Sequence, residues 1–465
     1  MYTSYIGKKF LKYYNEKENK NYTAREFFDE VMFPLFFDDS IFLMWVHNSP
    51  FDQLNKESSK KKKKHINNKV DTEYTPLLET PSERKRKKEE LFLKIDKGDI
   101  SGSTAVGYPV FELTGNTSGQ ISEINHKINA EEALSSWIGQ ALAIGVRGGY
   151  ILIDKIDILY KIFLGWEVYR KFIVRTPNVK GNQIETWNAH WIEEIIFNKE
   201  ENINSTYTFV PPIEKKNKSE TVFSIPTLKW SSLMLILAKI FPKEIIRGYV
   251  YVLSKMNNTY GFINMYLPSV QHMYEIRDKF FIDSTTSVLT DKQIMMLEPM
   301  YEIDEACKKG ALGLNTLEPK GLRDYLPKGS YDYSKGKEFK ITEENYTTHL
   351  IYKLWVMAML NKTELLKLAE KLANVLVRYN TNKAEKARGK TTKSREITDL
   401  LEAKNLNLFI ENLTKLMESS NGNKLLFKEV VEEVLKMPVD NLPLFITLIK
   451  FEYNYQTNIG EENEK

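Results

Sequence analysis

The sequence predicts an α+β fold: a mixed α/β N-terminal region, residues 1–345, followed by a C-terminal α-helical bundle, residues 346–465. Three observations predict it. Strand-like apolar runs bounded by small-residue loops are confined to the first region. The chain from Leu350 onward is patterned as consecutive helices. A highly charged stretch at about 52–90 breaks the first region and reads as a mobile basic loop. At 465 residues the chain exceeds one simple core, so about two or three domains are expected.

Taken in order, Thr23 and Glu26 have capping-box spacing ahead of the apolar face Phe27, Phe28 and Val31. Phe33–Phe37 and Ile41–Val46 suit buried strands or a tightly packed turn. Gly107–Leu113 reads as a short strand that runs into the small polar loop Thr114–Gln120. Asn129 and Glu132 place a helix start before Ala133–Ile144, with Gly145 positioned to end it. Arg147-Gly148-Gly149 turns the chain into Tyr150–Ile153. A helical stretch around Leu164, Trp166, Tyr169 and Phe172 follows, and then a polar turn, Lys180–Asn188.

Between about 201 and 345, Tyr207–Pro211, Thr221–Ile225 and Gly248–Leu253 are strand-like. Leu350–Leu360 and Leu365–Val377 carry apolar residues over much of their circumference, as largely buried helices do. Asn407–Met417 and Leu425–Met437 are more amphipathic. Pro438 and Pro443 bracket the turn into Leu444–Phe451, which gives a bundle of about four or five helices.

Composition is that of a globular protein, 42% hydrophobic and 28% charged. The one cysteine, Cys307, excludes a disulfide framework and multi-Cys zinc sites. No segment reads as a signal peptide, and the longest apolar stretch is about half of a bilayer span, so no membrane association is expected and the cytosol is the expected compartment. The net charge of +4 is modest, but the cations cluster at Lys60–Lys64, at Arg84–Lys88 and across Lys383–Arg395. Such clusters displace counterions from phosphate backbones; solvated loops would carry them equally well.

Most catalytic signatures are missing. No phosphate-binding glycine loop, dinucleotide fingerprint or nucleophile elbow is present, and the six histidines lack zinc spacing. One order of residues, Asp332 followed by Glu338 and Lys340, matches metal-dependent nucleases, where two carboxylates hold Mg²⁺ and a lysine orients water. That chemistry requires Lys337–Thr342 to be a strand.

The polar loops suit recognition. Asn116, Thr117, Ser118, Gln120, Asn182 and Gln183 offer hydroxyls and amides for phosphates or base edges, adenine in particular. Lys127, Arg147, Arg175 and Lys180, with Lys386, Arg388, Lys390, Lys393 and Arg395 in the later cluster, would hold the backbone. Trp166, Trp187 and Trp191 can stack on bases or fill a core, and Trp187 sits in the expected polar turn.

Together these features resemble the large subunit of type I CRISPR surveillance complexes (Cascade). The resemblance lies in layout: the loop Thr114–Gln120 between strand and helix, the turn Lys180–Asn188, the bundle from Leu350–Arg378 onward with its loop Gly389–Ser394, and the closing Met437-Pro438…Pro443–Ile446. It implies a non-catalytic, cofactor-free subunit that reads the protospacer-adjacent motif in target double-stranded DNA and stabilises the opened strands. Its partners would be guide RNA, other Cascade subunits and a recruited helicase-nuclease. It also implies that Met357 or Met359 could start a separate small subunit. The competing expectations are an Mg-dependent restriction-type or defence nuclease on Asp332, Glu338 and Lys340, and a scaffold protein that touches no nucleic acid.

Overall fold

The computed structural model describes residues 1–39, 44, 46, 49–51, 80–108, 127–197, 207–215, 222–252, 258–281, 289–331, 334–387, 393–419 and 423–463. The fold is α+β. It divides into two compact units, Met1–Ile236 with Ile245–Met265, and Leu237–Glu244 with Tyr266–Lys465.

In the first unit, α1 (Tyr2–Glu18) leads to α2 (Ala24–Phe27), which Thr23 and Glu26 cap reciprocally as their spacing predicts. From Phe28 to Phe37 the chain continues as a ten-residue π-helix, where a buried strand or a tightly packed turn was expected for Phe33–Phe37. Pro34 has no N–H to give to a helical ladder. The wide turn brings Phe28 and Phe37 into a stack at 5.6 Å, and both rings meet Trp137 edge-on. Of Ile41–Val46 only Met44 and Val46 are described, and both are buried.

The last ten residues of the expected basic loop, 81–90, are helical. Pro81–Asp96 forms α3, capped by Thr80 and Glu83 with Pro81 in its first turn. Arg84 is buried: its Nε donates to the Phe37 carbonyl at 2.7 Å, and its guanidinium lies over the Phe51 ring. Lys87 is buried too, and Lys88 pairs with Asp29. This cluster is therefore largely part of the core's edge, not a solvated run. The Lys60–Lys64 run lies outside the described residues.

Helix α4 (Ala130–Ala141) starts on the Asn129–Glu132 box, as read from the sequence. It ends at Ala141, and Gly145 belongs instead to strand β1 (Ile144–Val146), where a side chain would press on the Glu185 backbone. Arg147 and Gly148, the latter at φ 89°, make the two-residue turn into β2 (Gly149–Ile153), with Val146 paired to Gly149. Strand β2 pairs antiparallel with β3 (Ile245–Val252), and β4 (Asn258–Tyr266) lies beside β3. The segment 101–108 is tied to two helices. Thr3 Oγ1 donates to Val106 O, Val106 N–H donates to Ser136 Oγ, and Trp137 Nε1 donates to Thr104 O, at 2.7–2.9 Å. Gly107 and Tyr108 are not in a strand, and 109–113 lie outside the described residues.

Helices α5 (Ile156–Arg175) and α6 (Ile184–Phe197) pack through Gly165, where a Cβ would sit 2.5 Å from the Trp191 ring. Helix α6 takes in the second half of the expected turn Lys180–Asn188. Trp187 is consequently core: it stacks on Tyr169 at 4.7 Å, and its Nε1 donates to Gly165 O at 3.1 Å. Trp166 and Trp191 are buried as well. Tyr207–Pro211 is not a strand, and of the expected Thr221–Ile225 the described residues 222–225 form only isolated bridges. Helix α7 (Trp230–Ile240) then carries the chain into the second unit, before β3 and β4 return to the first.

The second unit contains α8 (Leu267–Phe280), the short α9 (Asp291–Ile294) and α10 (Ile303–Lys308), and the two-residue strand β5 (Ala311–Leu312). Asp291 binds both Lys239 and Arg277, joining α9 to the preceding elements. From 346 on, the described residues form six α-helices: α11 (Tyr346–Leu360), α12 (Thr363–Ala387), α13 (Arg395–Leu401), α14 (Leu406–Ser419), α15 (Lys424–Lys436) and α16 (Leu442–Asn463). Asn361 at φ 49° allows the sharp reversal between α11 and α12.

Helix α16 carries two charges inward. Lys450 reaches Glu402 and the Tyr325 carbonyl, and Glu452 pairs with Lys353 of α11 at 2.5 Å. Trp355 Nε1 donates to Leu314 O at 2.9 Å and fixes α11 on the preceding loop. No described helix is long and apolar enough to cross a membrane.

Candidate nucleic-acid interface

Two surfaces bear on binding, one in each unit. In the first unit, the segment 222–228 gathers residues that are distant in sequence. Val146 bridges Leu228 and Val179 bridges Phe223, both in parallel sense. The Arg147 N–H donates to Leu228 O at 2.7 Å, and the Lys180 N–H donates to Phe223 O at 2.8 Å. Arg147, Lys180, Asn182 and Gln183 are thereby held on one framework, with the side chains of Arg147 and Lys180 exposed.

Within it, the two amides differ. Asn182 adopts φ 48° and is half-buried. The Gln183 amide is engaged by the protein at both ends: its Oε1 accepts from Ile225 N–H at 2.9 Å and its Nε2 donates to Lys180 O. That side chain shapes the turn instead of facing a base. His190, whose Nε2 lies 2.7 Å from Pro226 O, anchors the same segment from α6.

Asn116, Thr117, Ser118 and Gln120 lie outside the described residues. Their flanks are described. Tyr108 is hydrogen-bonded to Ser4 at 2.7 Å, and Lys127 is exposed just ahead of α4. The first turn of α4 holds its own carboxylates, since Glu132 closes the capping box and Glu131 accepts from the Ala24 N–H. The helix terminus is thus already satisfied electrostatically.

Beneath this surface lies a buried polar chain. Gln140 Nε2 donates to Glu185 at 2.8 Å, and Tyr251 OH donates to Gln140 Oε1 at 2.7 Å. Burial raises the Glu185 carboxyl above its ordinary range, with the Gln140 bond opposing. This chain ties α4, α6 and β3 together.

In the second unit, helix α12 has a buried face and an exposed one. Leu365, Leu368, Leu372 and Leu376 are inside, whereas Lys367, Lys371, Asn374 and Arg378 are exposed. Their spacing of four, three and four places them on a single ridge of the helix. Lys371 and Arg378 enter no ion pair among the described residues. Sequence reading took this helix as largely buried and missed the ridge; the recurrence of cations four and seven apart was the signal that could have found it.

The later basic cluster is heterogeneous. Lys383 binds both oxygens of Glu396 at 2.7–2.8 Å, which raises its pKa. Lys393 pairs with Glu338 at 2.7 Å and lies over the Tyr453 ring. Arg395 is 91% exposed, its contact with Asp399 being loose at 3.7 Å. Lys386 belongs to α12, its side chain outside the described atoms, and Arg388 and Lys390 lie outside the described residues. The loop's base is closed by Ser394 N–H donating to Asn380 at 2.9 Å.

The nuclease arrangement is not assembled as its chemistry needs. Lys337–Thr342 is not a strand, Glu338 is held by Lys393, and Phe339 is buried against His349 and Phe451. Asp332 lies outside the described residues, and Lys340 is exposed. Among the described residues no group of three or more His, Cys, Asp or Glu is placed to hold a metal ion. The free Cys307 is buried, and its thiol is pushed up to about 12 by burial.

Compared with protein-family models, with curated proteins and with solved structures, the chain matches none.

Proposed function

We propose that this chain binds nucleic acid without cutting it, through backbone phosphates met by the outer ridge of α12. The single observation that carries the reading is the ridge itself: Lys367, Lys371 and Arg378 are exposed on one helix face and lead into Lys383 and the basic loop. Along the helix Lys367 and Lys371 stand about 6 Å apart and Lys371 and Arg378 about 10 Å apart, and each one that meets a phosphate releases counterions.

In its fuller form, the proposal makes the chain the large subunit of an RNA-guided DNA surveillance complex of the Cascade kind. The first unit would read a short motif in duplex DNA through 116–120 and Asn182, with Lys127, Arg147 and Lys180 on the backbone. The second unit would hold an opened strand beside guide RNA. What supports this form is the order of elements, an α/β unit followed by a helical bundle. The test is purification of the tagged chain from its native host, with the accompanying RNA sequenced. Short RNAs of uniform 5′ end with a repeated protein subunit are expected; the chain recovered without RNA overturns the surveillance-complex form.

A further inference from the structure

The first unit also presents an aromatic surface that the α12 ridge does not account for. Tyr249 on β3 and Phe262 on β4 meet at 5.3 Å, and Tyr2 of α1 lies 5.0 Å from each. Tyr5 stacks on Tyr2 at 5.7 Å. Phe262 is 58% exposed and Tyr5 48%. Scattered exposed rings are ordinary on a protein surface, but here Tyr2, Tyr249 and Phe262 touch one another and Tyr5 extends the group through Tyr2, which makes a patch.

The charges around this patch favour a polyanion. Arg247 lies two residues before Tyr249, hence on the same side of β3, and it is exposed with no ion pair among the described residues. The neighbouring carboxylate, Asp154, is already held by Lys9 and accepts from Tyr5 OH at 3.1 Å. Exposed Asn264 follows Phe262 at the same two-residue spacing and adds an amide for base edges. The rings are fixed by one another and by the sheet, so a flat ligand would meet a preordered surface.

We infer that the β3–β4 aromatic face is a stacking platform for unpaired bases of single-stranded nucleic acid, with Phe262 and Tyr249 supplying ring surface and Arg247 meeting the adjacent phosphate. Every base has a π-face, so the platform tolerates sequence and requires only that the strand be unpaired. The inference rests on the reading of the chain as a nucleic-acid binder. It adds a base-dependent contact to the phosphate-dependent one.

The experiment measures binding of the full chain to labelled oligothymidylate and to an abasic oligomer of equal length, by anisotropy at low salt. Phe262→Ser should weaken oligothymidylate binding by about five-fold or more while leaving the abasic oligomer unchanged, and Phe262→Trp should retain binding. Tyr5→Ser, at an exposed position, gives a second reading should Phe262→Ser fold poorly.

Neutralising Lys371 and Arg378 should weaken both oligomers alike. If that double variant weakens both but Phe262→Ser and Tyr5→Ser change neither, the platform is overturned and the phosphate reading survives. If the unaltered chain binds neither oligomer, both readings fall. If Phe262→Ser spares oligomer binding but dissolves a protein self-association seen by light scattering, the face serves protein contact and the inference is overturned.

Discussion

Gly7 on α1 and Gly139 on α4 face one another where the two helices cross. A Cβ at Gly7 would stand 1.9 Å from Ser135 O, and one at Gly139 would stand 1.9 Å from Thr3 O. The two backbones are therefore in direct contact, flanked by Thr3, Ser4, Ser135 and Ser136, all buried.

Gly7→Ala and Gly139→Ala should each destabilise the protein by about 1–3 kcal/mol, even though alanine is the better helix former by about 1 kcal/mol. Urea denaturation followed by circular dichroism checks this; an unchanged or raised midpoint would show that the helices can slide apart without cost.

Neutralising Lys367, Lys371 and Arg378 to glutamine should leave stability within about 0.5 kcal/mol, because all three are exposed. Affinity for nucleic acid should fall, and the slope of log K against log salt should flatten by about two to three. Lys393→Ala should act differently, since its partner Glu338 is released along with it. A salt titration of each variant separates the two cases.

Lys450 is 4% exposed and bound to Glu402, whose other oxygen accepts from the Lys328 N–H at 2.7 Å. Burial lowers the lysine's pKa, with Glu402 opposing. Lys450→Ala should cost about 1–3 kcal/mol, because Glu402 loses its cation and keeps only the Lys328 N–H, and adding Glu402→Gln should restore part of that loss. A double-mutant cycle in guanidinium measures the coupling.

His349 is held down to about 3, first by burial and then by Lys353. The unfolded chain takes up that proton near its ordinary pKa of about 6.5, so the unfolded state binds more protons between the two values. This contribution to stability is present above about pH 6.5 and is lost as pH falls, by at most about 1.4 kcal/mol per pH unit. Glu370, raised by burial and by Glu452, acts in the opposite direction, so the comparison with His349→Phe isolates the histidine. Denaturation midpoints at about pH 7.5 and about pH 5 should differ less in the variant than in the parent.

What was legible in the sequence was local. The Thr23–Glu26 and Asn129–Glu132 boxes and the Arg147-Gly148 turn are each decided within a few residues, and each formed as read. Elements decided by distant packing were not legible. Phe33–Phe37 is an apolar run that periodicity cannot assign to strand or helix, and in its π-helix Phe37 meets Trp137 and Phe51, which lie outside that run. Arg84 and Lys87 looked solvated because the Phe37 carbonyl and the Phe51 ring that receive Arg84 are far away in sequence. Trp187 stayed open between stacking surface and core because the polar residues before it hid the start of α6. At the candidate interface, clustered cations were readable as a composition, but α12's outer ridge needed the inner face to be known first.

The inward charges of α16 bear on which pieces of this gene product could live alone. A polypeptide initiated at Met357 or Met359 would retain Glu452 and Lys450 but lose Lys353, His349 and Tyr325, all of which lie upstream. Glu452 would then be a carboxylate inside a helical fragment with its cation untranslated, and Lys450 would miss the Tyr325 carbonyl. An independently translated bundle from either methionine would have to rearrange α16 before it could fold.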